Sequence, residues 1–291
     1  MTNIADGKAL AEQIYLKIKT EIDKLSKKPC LAVIITEDNE SGKVYVKNKQ
    51  RACEKTGIIS KTTFMPANVS EDEILSKIDE LNNDKDVDAI LVQLPLPNHI
   101  DTEKVLNSIS ADKDADGFHY INAGKMFTGQ MPKSIACTPK GIIRLLDEYK
   151  INLTGMNAVV IGRSNIVGKP ISQLLLQRNA TVTTCHSKTK NIDFYTKNAD
   201  LIVVAIGKPK FLTGDMVKEG VVVIDVGISK FGGKLSGDVD FETVAPKASF
   251  ITPVPGGVGP MTVAMLIQNT LDLAKNHWCF KGFLQGIIIF F

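Results

Sequence analysis

Between Asp6 and about Pro255 the chain switches repeatedly between two hydrophobic periods. Ala9, Ile14, Ile18, Ile22 and Leu25 recur at helical spacing. Cys30–Thr36 (CLAVIIT) is a short unbroken apolar run of the kind a strand buried on both faces shows. Ser41–Glu54 predicts a helix that Gly57 stops. Ser70 and Glu73 have capping-box spacing ahead of Ile74, Leu75, Ile78 and Leu81. Ala89–Leu94 is a second apolar strand, ended by the prolines of PLP. Thr138 as N-cap and Pro139 at the first helical position predict a helix over Lys140–Tyr149, a natural boundary between two lobes. A cleaner series follows: strand Ala158–Gly162, helix Lys169–Arg178, and strands Thr181–His186, Leu201–Gly207 and Val221–Gly227. A last amphipathic helix spans Met261–Lys275. Alternating strands and helices predict an α/β fold of parallel sheets with helices on both faces. Four strands at roughly 20-residue spacing look like a dinucleotide-binding lobe.

Composition narrows the class without changing it. With 291 residues, 44% hydrophobic and 23% charged, the chain is a folded protein of one large or two ordinary domains. A formal charge of +3 permits an anionic small ligand and gives no case for nucleic acid, which calls for a clustered basic face. The five cysteines are odd in number, with no CxxC pair, and read as free thiols of a reducing compartment. The four histidines are scattered, so no metal site is expected. The first 15 residues lack the apolar core of a secretory signal, and no run approaches the ~20 apolar residues of a membrane span. A cytoplasmic protein without a membrane partner is expected.

The sharpest local motif is the strand–turn–helix at Gly162–Pro170 (GRSNIVGKP). Glycines at a strand exit let the backbone approach a phosphate, and the following helix offers N–H groups and its positive end. The middle glycine of the usual G-x-G-x-x-G is absent, so the turn alone is a weak signal, to be weighed against a tight connection with no ligand. NAD sites place an acid at the end of the next strand. Here Cys185–Lys190 supplies Ser187, Lys188 and Lys190 instead. That set, with Arg163, suits a 2′-phosphate and leans towards NADP, although such lysines are often only solvated.

Other candidates are scattered. Tyr45 and Lys49 share a helix face, on an otherwise basic helix. Gln93 ends an apolar strand, where α/β sheets bind ligands and where a plain strand-end hydrogen bond is also common. Asp112, Asp114 and Asp116 open like an EF-hand loop, but its twelfth position is Ala123, which excludes calcium. These acids are left to cap helices, bind lysines or meet a substrate amide or amine. Ile251–Thr262 (ITPVPGGVGPMT) suits a ligand wall or an inter-domain linker.

YVKNKQRACEKTGI, VQLPLP, DKDADGFH, CTPKGI, VVIGRSNIVGKP, TVTTCHSKT, IDVGI, GDVDF and TPVPGGVGPMTVAML stand together in one order. In this the chain resembles the bifunctional methylenetetrahydrofolate dehydrogenase/cyclohydrolase family of one-carbon metabolism, from about Asp6 to Lys275. The resemblance implies two α/β lobes with a cleft between them. Residues 1–138 would form a folate-binding catalytic domain, on which the helix 261–275 packs back. Residues 139–260 would form a Rossmann-type NADP-binding domain. The family is usually homodimeric. Its activity would be NADP-dependent oxidation of 5,10-methylenetetrahydrofolate to the methenyl form, then hydrolysis to 10-formyltetrahydrofolate.

By the same resemblance Tyr45, Gln93 and Asp116 bind folate, with Pro255, Gly256 and Gly259 walling its site. Lys49 would be the general acid/base, oriented by Gln93 and Tyr45. Gly162, Arg163, Ser164, Ser187 and Ile228 would bind NADP. The rival is a monofunctional NADP-dependent methylenetetrahydrofolate dehydrogenase. Retention of Lys49 together with Arg163 and Ser187 argues for both steps. Residues 276–291 depart from the family pattern as an unusually apolar tail.

Overall fold

The computed structural model describes residues 2–283, the side chains of residues 40, 41 and 276–283 excepted. The chain divides into two compact units. One comprises residues 13–135 with the chain from Leu266 on, the other residues 2–12 with Ala136–Met265.

The first unit is built on a three-stranded parallel sheet. Its central strand Cys30–Thr36 is buried at every position, as its unbroken apolar run requires. Ile59–Met65 pairs on one side and Ala89–Val92 on the other, both parallel to it. Ile59–Met65 (ISKTTFM) alternates between exposed and half-buried positions. This edge strand has no apolar run to announce it. A parallel bridge between Ile90 and Asp114 extends the sheet beyond Ala89–Val92. Helix Glu40–Thr56 begins where the Asn39 side chain accepts the Gly42 N–H at 2.7 Å, and it ends at Gly57 (φ +84°). Helix Glu71–Asn83 carries the expected capping box: the Glu73 carboxylate accepts the Ser70 N–H at 2.8 Å, and the Ser70 hydroxyl accepts the Glu73 N–H. Ile34, Ile74, Ile78 and Ile90 lie together at the centre of this unit's core.

The second unit carries a six-stranded parallel sheet. Its strands run in the order Asn3–Ile4, Phe250–Ile251, Val222–Asp225, Leu201–Val204, Asn157–Ile161 and Thr181–Cys185. Val159, Ile161, Ile202, Val204 and Val223 fill its core. The N-terminal residues, placed with the first domain by the sequence reading, go with this unit because Asn3 and Ile4 add a strand beside Phe250–Ile251. The short antiparallel hairpin Ser229–Phe231/Lys234–Ser236 turns on Gly232 and Gly233, both at positive φ. Its signal in the sequence was the Gly-Gly pair between two short runs.

The linking helix starts earlier than expected, at Cys137, and ends at Glu148. Thr138 is therefore inside the first turn and caps nothing. Its hydroxyl meets that of Thr262 at 2.8 Å instead. Pro139 is tolerated there because a first-turn N–H has no helical partner. The last helix runs from Val258 to Phe283, longer at both ends than Met261–Lys275. Asn269, in the first unit, donates to the carbonyls of Ala115 and Ile135, each at 2.9 Å. Of the tail at 276–291, helical backbone is described as far as Phe283; the rest lies outside the described residues.

Candidate functional site

In the first unit the chain leaves the central strand Cys30–Thr36 for Ile59–Met65 on one side. It then crosses back to Ala89–Val92 on the other. Such a reversal opens a crevice at the carboxyl ends of the two neighbouring strands, where open α/β sheets bind ligands. Gln93 is the first residue past Val92, and its N–H donates to Ile34 O at 2.8 Å. Its side-chain Nε2 donates to Leu94 O at 2.8 Å, which leaves Oε1 to accept from Lys49 Nζ at 2.9 Å. The carbonyl thus fixes which end of the amide faces the lysine. Both side chains are half-buried. Tyr45 lies one turn earlier on the same helix and is 41% exposed.

Asn39 ties this corner together. It caps the Lys49 helix through Oδ1 and donates through Nδ2 to Pro95 O at 3.0 Å, just past the cis Leu94–Pro95 bond. The sequence reading missed it; an asparagine three residues before Gly42 at a helix start was its only signal.

The three acids separate by environment. Asp114 is 2% exposed and organises its own loop, accepting from the N–H groups of Gly117 and His119 and from Asn122. Asp112 is exposed, with Lys133 Nζ at 4.0 Å. Asp116 is half-buried. The Ile90–Asp114 bridge is parallel, and Asp116 follows it by two residues on the carboxyl side, the side of the sheet on which Gln93 follows Val92. Among the described residues no three His, Cys, Asp or Glu gather as a metal ion would require. Nor is any described helix long and apolar enough to cross a membrane. Burial pushes the Cys53 thiol up to about 12, leaving it an inert core residue. Burial also lowers Lys113, whose ammonium caps carbonyls of Leu81 and Asp84 and is structural.

The second unit has its own reversal. The chain goes from Asn157–Ile161 out to Thr181–Cys185, then back across to Leu201–Val204. Gly162 sits at that point with φ +131°, and a Cβ on it would run into the Ala205 carbonyl. Gly168 opens helix Gly168–Gln177 so close to the turn that a Cβ would lie 2.5 Å from Gly162 C and 2.7 Å from Arg163 N. Ser164 stands at the place of the missing middle glycine. Its hydroxyl accepts from the N–H groups of Val167 (3.2 Å) and Gly168 (3.3 Å), closing a turn one residue longer than the usual fingerprint. Arg163 and Ser164 are exposed at its tip, and Ser187, Lys188 and Lys190 are exposed past the neighbouring strand with no carboxylate between Cys185 and Lys190. Ile228, 43% exposed, follows the next strand but one. A backbone cradle that only glycine fills, beside an acid-free basic loop, fits NADP. Gly162, Arg163 and Ser164 would hold its phosphates and Ser187 its 2′-phosphate.

Pro255, Gly256 and Gly259 also belong to this unit, whereas Tyr45, Lys49, Gln93 and Asp116 belong to the first. Val254–Pro255 is cis, Gly256 has φ +109°, and Gly256 O accepts the Lys8 N–H at 3.0 Å.

A doubly wound dinucleotide-binding sheet joined in one chain to a smaller parallel sheet with a lysine–glutamine pair at its switch point defines a two-domain α/β nucleotide-dependent enzyme. Comparison with known proteins makes the class specific. The NAD(P)-binding domain of tetrahydrofolate dehydrogenase/cyclohydrolase matches residues 136–278, and the catalytic domain of the same family matches residues 5–116. The chain belongs to this family. It is 55% identical to the bifunctional protein FolD of Campylobacter hominis over 278 residues, 94% of this chain and 98% of that one. The crystal structure of the bifunctional FolD of Campylobacter jejuni superposes with a TM-score of 0.94 at 50% identity, covering 95% of this chain and 99% of that one. A Trypanosoma brucei methylenetetrahydrofolate dehydrogenase–cyclohydrolase, solved with NADP cofactor and inhibitor, gives 0.90 at 35% identity, covering 94% and 98%. The shikimate dehydrogenase of Thermus thermophilus, at 13% identity and 0.52, shares the fold alone.

Proposed function

We infer that this chain is a bifunctional folate enzyme. It oxidises 5,10-methylenetetrahydrofolate to the 5,10-methenyl cation with NADP, then hydrolyses that cation to 10-formyltetrahydrofolate. The observation that carries the reading is the 2.9 Å hydrogen bond from Lys49 Nζ to Gln93 Oε1 at the sheet end, in a chain that also holds an NADP-type glycine turn.

NADP, when bound, accepts the hydride that leaves the methylene carbon. No proton moves in that step, so the protein's share is positioning. Hydrolysis differs. Water adds to the methenyl carbon, and its oxygen loses both protons as it becomes the formyl oxygen; the bond from that carbon to N5 breaks as N5 takes up one proton, and the other is released to solvent. Lys49 is the side chain placed to carry protons in and out. Gln93 holds it by accepting from Nζ, and Tyr45, one turn away, lines the same face. Asp116, on the same carboxyl side of the sheet, suits the pterin N–H groups as an acceptor. The protein acts, in this reading, as a cytoplasmic homodimer, which sedimentation of the purified protein checks.

The test is spectrophotometric, on the full chain with methylenetetrahydrofolate and NADP or NAD in parallel. NADPH formation with little methenyl build-up is expected. Lys49→Met is expected to abolish hydrolysis of added methenyltetrahydrofolate while NADPH still binds. Full hydrolysis by that variant would remove Lys49 from the mechanism, and methenyl accumulation by the unaltered protein would leave a monofunctional dehydrogenase.

A further inference from the structure

Two acids in the second unit are buried with no ionic role. Asp225 ends strand Val222–Asp225 and is 3% exposed; Asp238, just past the hairpin, is fully buried. Among the described residues neither forms an ion pair. Both hold backbone instead. Asp225 Oδ1 accepts the N–H groups of Gly227 (3.0 Å) and Asp238 (2.9 Å), and its Oδ2 accepts that of Val239 (3.0 Å). Asp238 Oδ2 accepts from Ile206 (2.7 Å) and Gly207 (2.9 Å), while its Oδ1 is buried without a partner. Gly227 lies so close that a Cβ there would overlap the Asp238 carboxylate.

Burying carboxylates side by side without a cation is unfavourable, and neutral side chains fasten turns at less cost. What these two fasten is specific. Ile206 and Gly207 follow Ala205, whose carbonyl is the surface against which Gly162 is pressed. Gly227 precedes Ile228. The pair therefore clamps the exits of the Leu201 and Val222 strands, beside the switch point.

We propose that Asp238 is a positioning residue for NADP: by holding the N–H groups of Ile206 and Gly207 it sets the turn that backs Gly162 and so shapes the wall of the dinucleotide site. This rests on the NADP reading above, and it concerns a residue that touches no ligand, since the Asp238 side chain is sealed from solvent.

The test compares Asp238→Ala and Asp238→Asn in the full-length protein. NADPH affinity is read by fluorescence titration, KM and kcat by the dehydrogenase assay. Hydrolysis of added methenyltetrahydrofolate, which uses no NADP, serves as the folding control. Asp238→Ala is expected to weaken NADPH binding and raise the KM for NADP at least about tenfold, with kcat at saturating NADP within about threefold. Asp238→Asn keeps an oxygen for both N–H groups and is expected to stay within about threefold of the unaltered protein. Normal NADPH affinity in hydrolytically active Asp238→Ala overturns the proposal, as does an Asn variant as weak as the Ala one. If Asp238→Ala proves unfolded, amide exchange decides: NADPH should slow exchange at Ile206 and Gly207 in the unaltered protein, and no slowing overturns the proposal. Unaltered protein that binds no NADPH at all would instead refute the functional reading on which it rests.

Discussion

Gly168→Ala isolates the geometry of the cofactor turn without removing a polar group. In an ordinary helix the change is favourable, since alanine exceeds glycine by about 1 kcal/mol in helix propensity. Here the added Cβ would run into the Gly162 carbonyl and lie 2.5 Å from its carbon and 2.7 Å from Arg163 N. Unstrained carbon contacts sit at about 3.5–4.0 Å, so roughly 1 Å must open between helix and turn. Gly162 cannot retreat, because Ala205 lies behind it and its own N–H is bound to Cys185 O at 2.9 Å. The motion falls on residues 163–167, where the Ser164 hydroxyl holds Val167 and Gly168 at 3.2 and 3.3 Å, long bonds that give first. Overpacking of this kind costs about 1–3 kcal/mol. Expressed at the phosphate contacts, that is a loss of NADPH affinity of about fivefold to about 150-fold. Fluorescence titration with NADPH measures it. Hydrolysis of methenyltetrahydrofolate, whose proposed groups lie in the other unit, should continue. A variant that binds NADPH within about twofold of the unaltered protein would refute the assignment of this turn.

Three further outcomes follow from single interactions. Gln93→Leu removes the acceptor from Lys49 Nζ; hydrolysis should fall by at least about tenfold while NADPH binding is unchanged, and undiminished hydrolysis would show that the pair is incidental. The Asp225 carboxyl is pushed up to about 6, chiefly by burial and further by the charge of Asp238, against the pull of the N–H groups of Asp238, Val239 and Gly227. The folded protein then keeps a proton that the unfolded chain loses above its ordinary 3.8, so this group's contribution to stability falls by about 3 kcal/mol as the pH rises from about 4 through 6. Urea denaturation at pH 4.5 and 7.5 should show the unaltered protein losing more stability than Asp225→Asn, and parallel losses would contradict the buried acid. Ser70→Ala breaks the capping box and should cost about 1 kcal/mol in urea denaturation with both activities intact.

Much of this architecture was legible because parallel strands buried on both faces advertise themselves. Cys30–Thr36, Leu201–Val204 and Val222–Asp225 are buried at every position and apolar up to a terminal Thr36 and Asp225, and the runs in the sequence mark them within a few residues. The edges were not. Ile59–Met65 is half-solvated, and its mixed face carries no run to detect. Asn3–Ile4 is two residues long and is a strand only because Phe250–Ile251 offers an edge. Thr138 shows the opposite failure. A Thr-Pro pair is a sound helix start by local chemistry, yet the helix begins one residue before it and the threonine bonds to Thr262, 124 residues away, a partner no local pattern reveals. At the sites, residue types were readable and pairings were not. Lys49 and Gln93 are 44 residues apart, and only the crossover of the sheet brings them to 2.9 Å. Asp238 carried no signal beyond its place in GDVDF, because its work is done on backbone groups that become neighbours only in the fold.

The two switch points explain why one site shows itself as a motif and the other as a pair. At Gly162 the task is to bring backbone close to a phosphate, which is met by deleting side chains. Deletions leave glycines at fixed local spacing, and those survive in the sequence as a signature. At Gln93 the task is to move protons, which needs an ionisable side chain held by a partner, and the partner must come from another element so that the lysine is restrained from outside its own helix. Such an arrangement has no short-range spacing to read. By the same reasoning the two sites should answer differently to substitution. The glycine turn should fail by crowding, with affinity for NADP lost and hydrolysis spared. The Lys49–Gln93 corner should fail by loss of a single hydrogen bond, with hydrolysis lost and affinity spared. A chain in which both substitutions damaged both activities equally would be reporting unfolding and not chemistry.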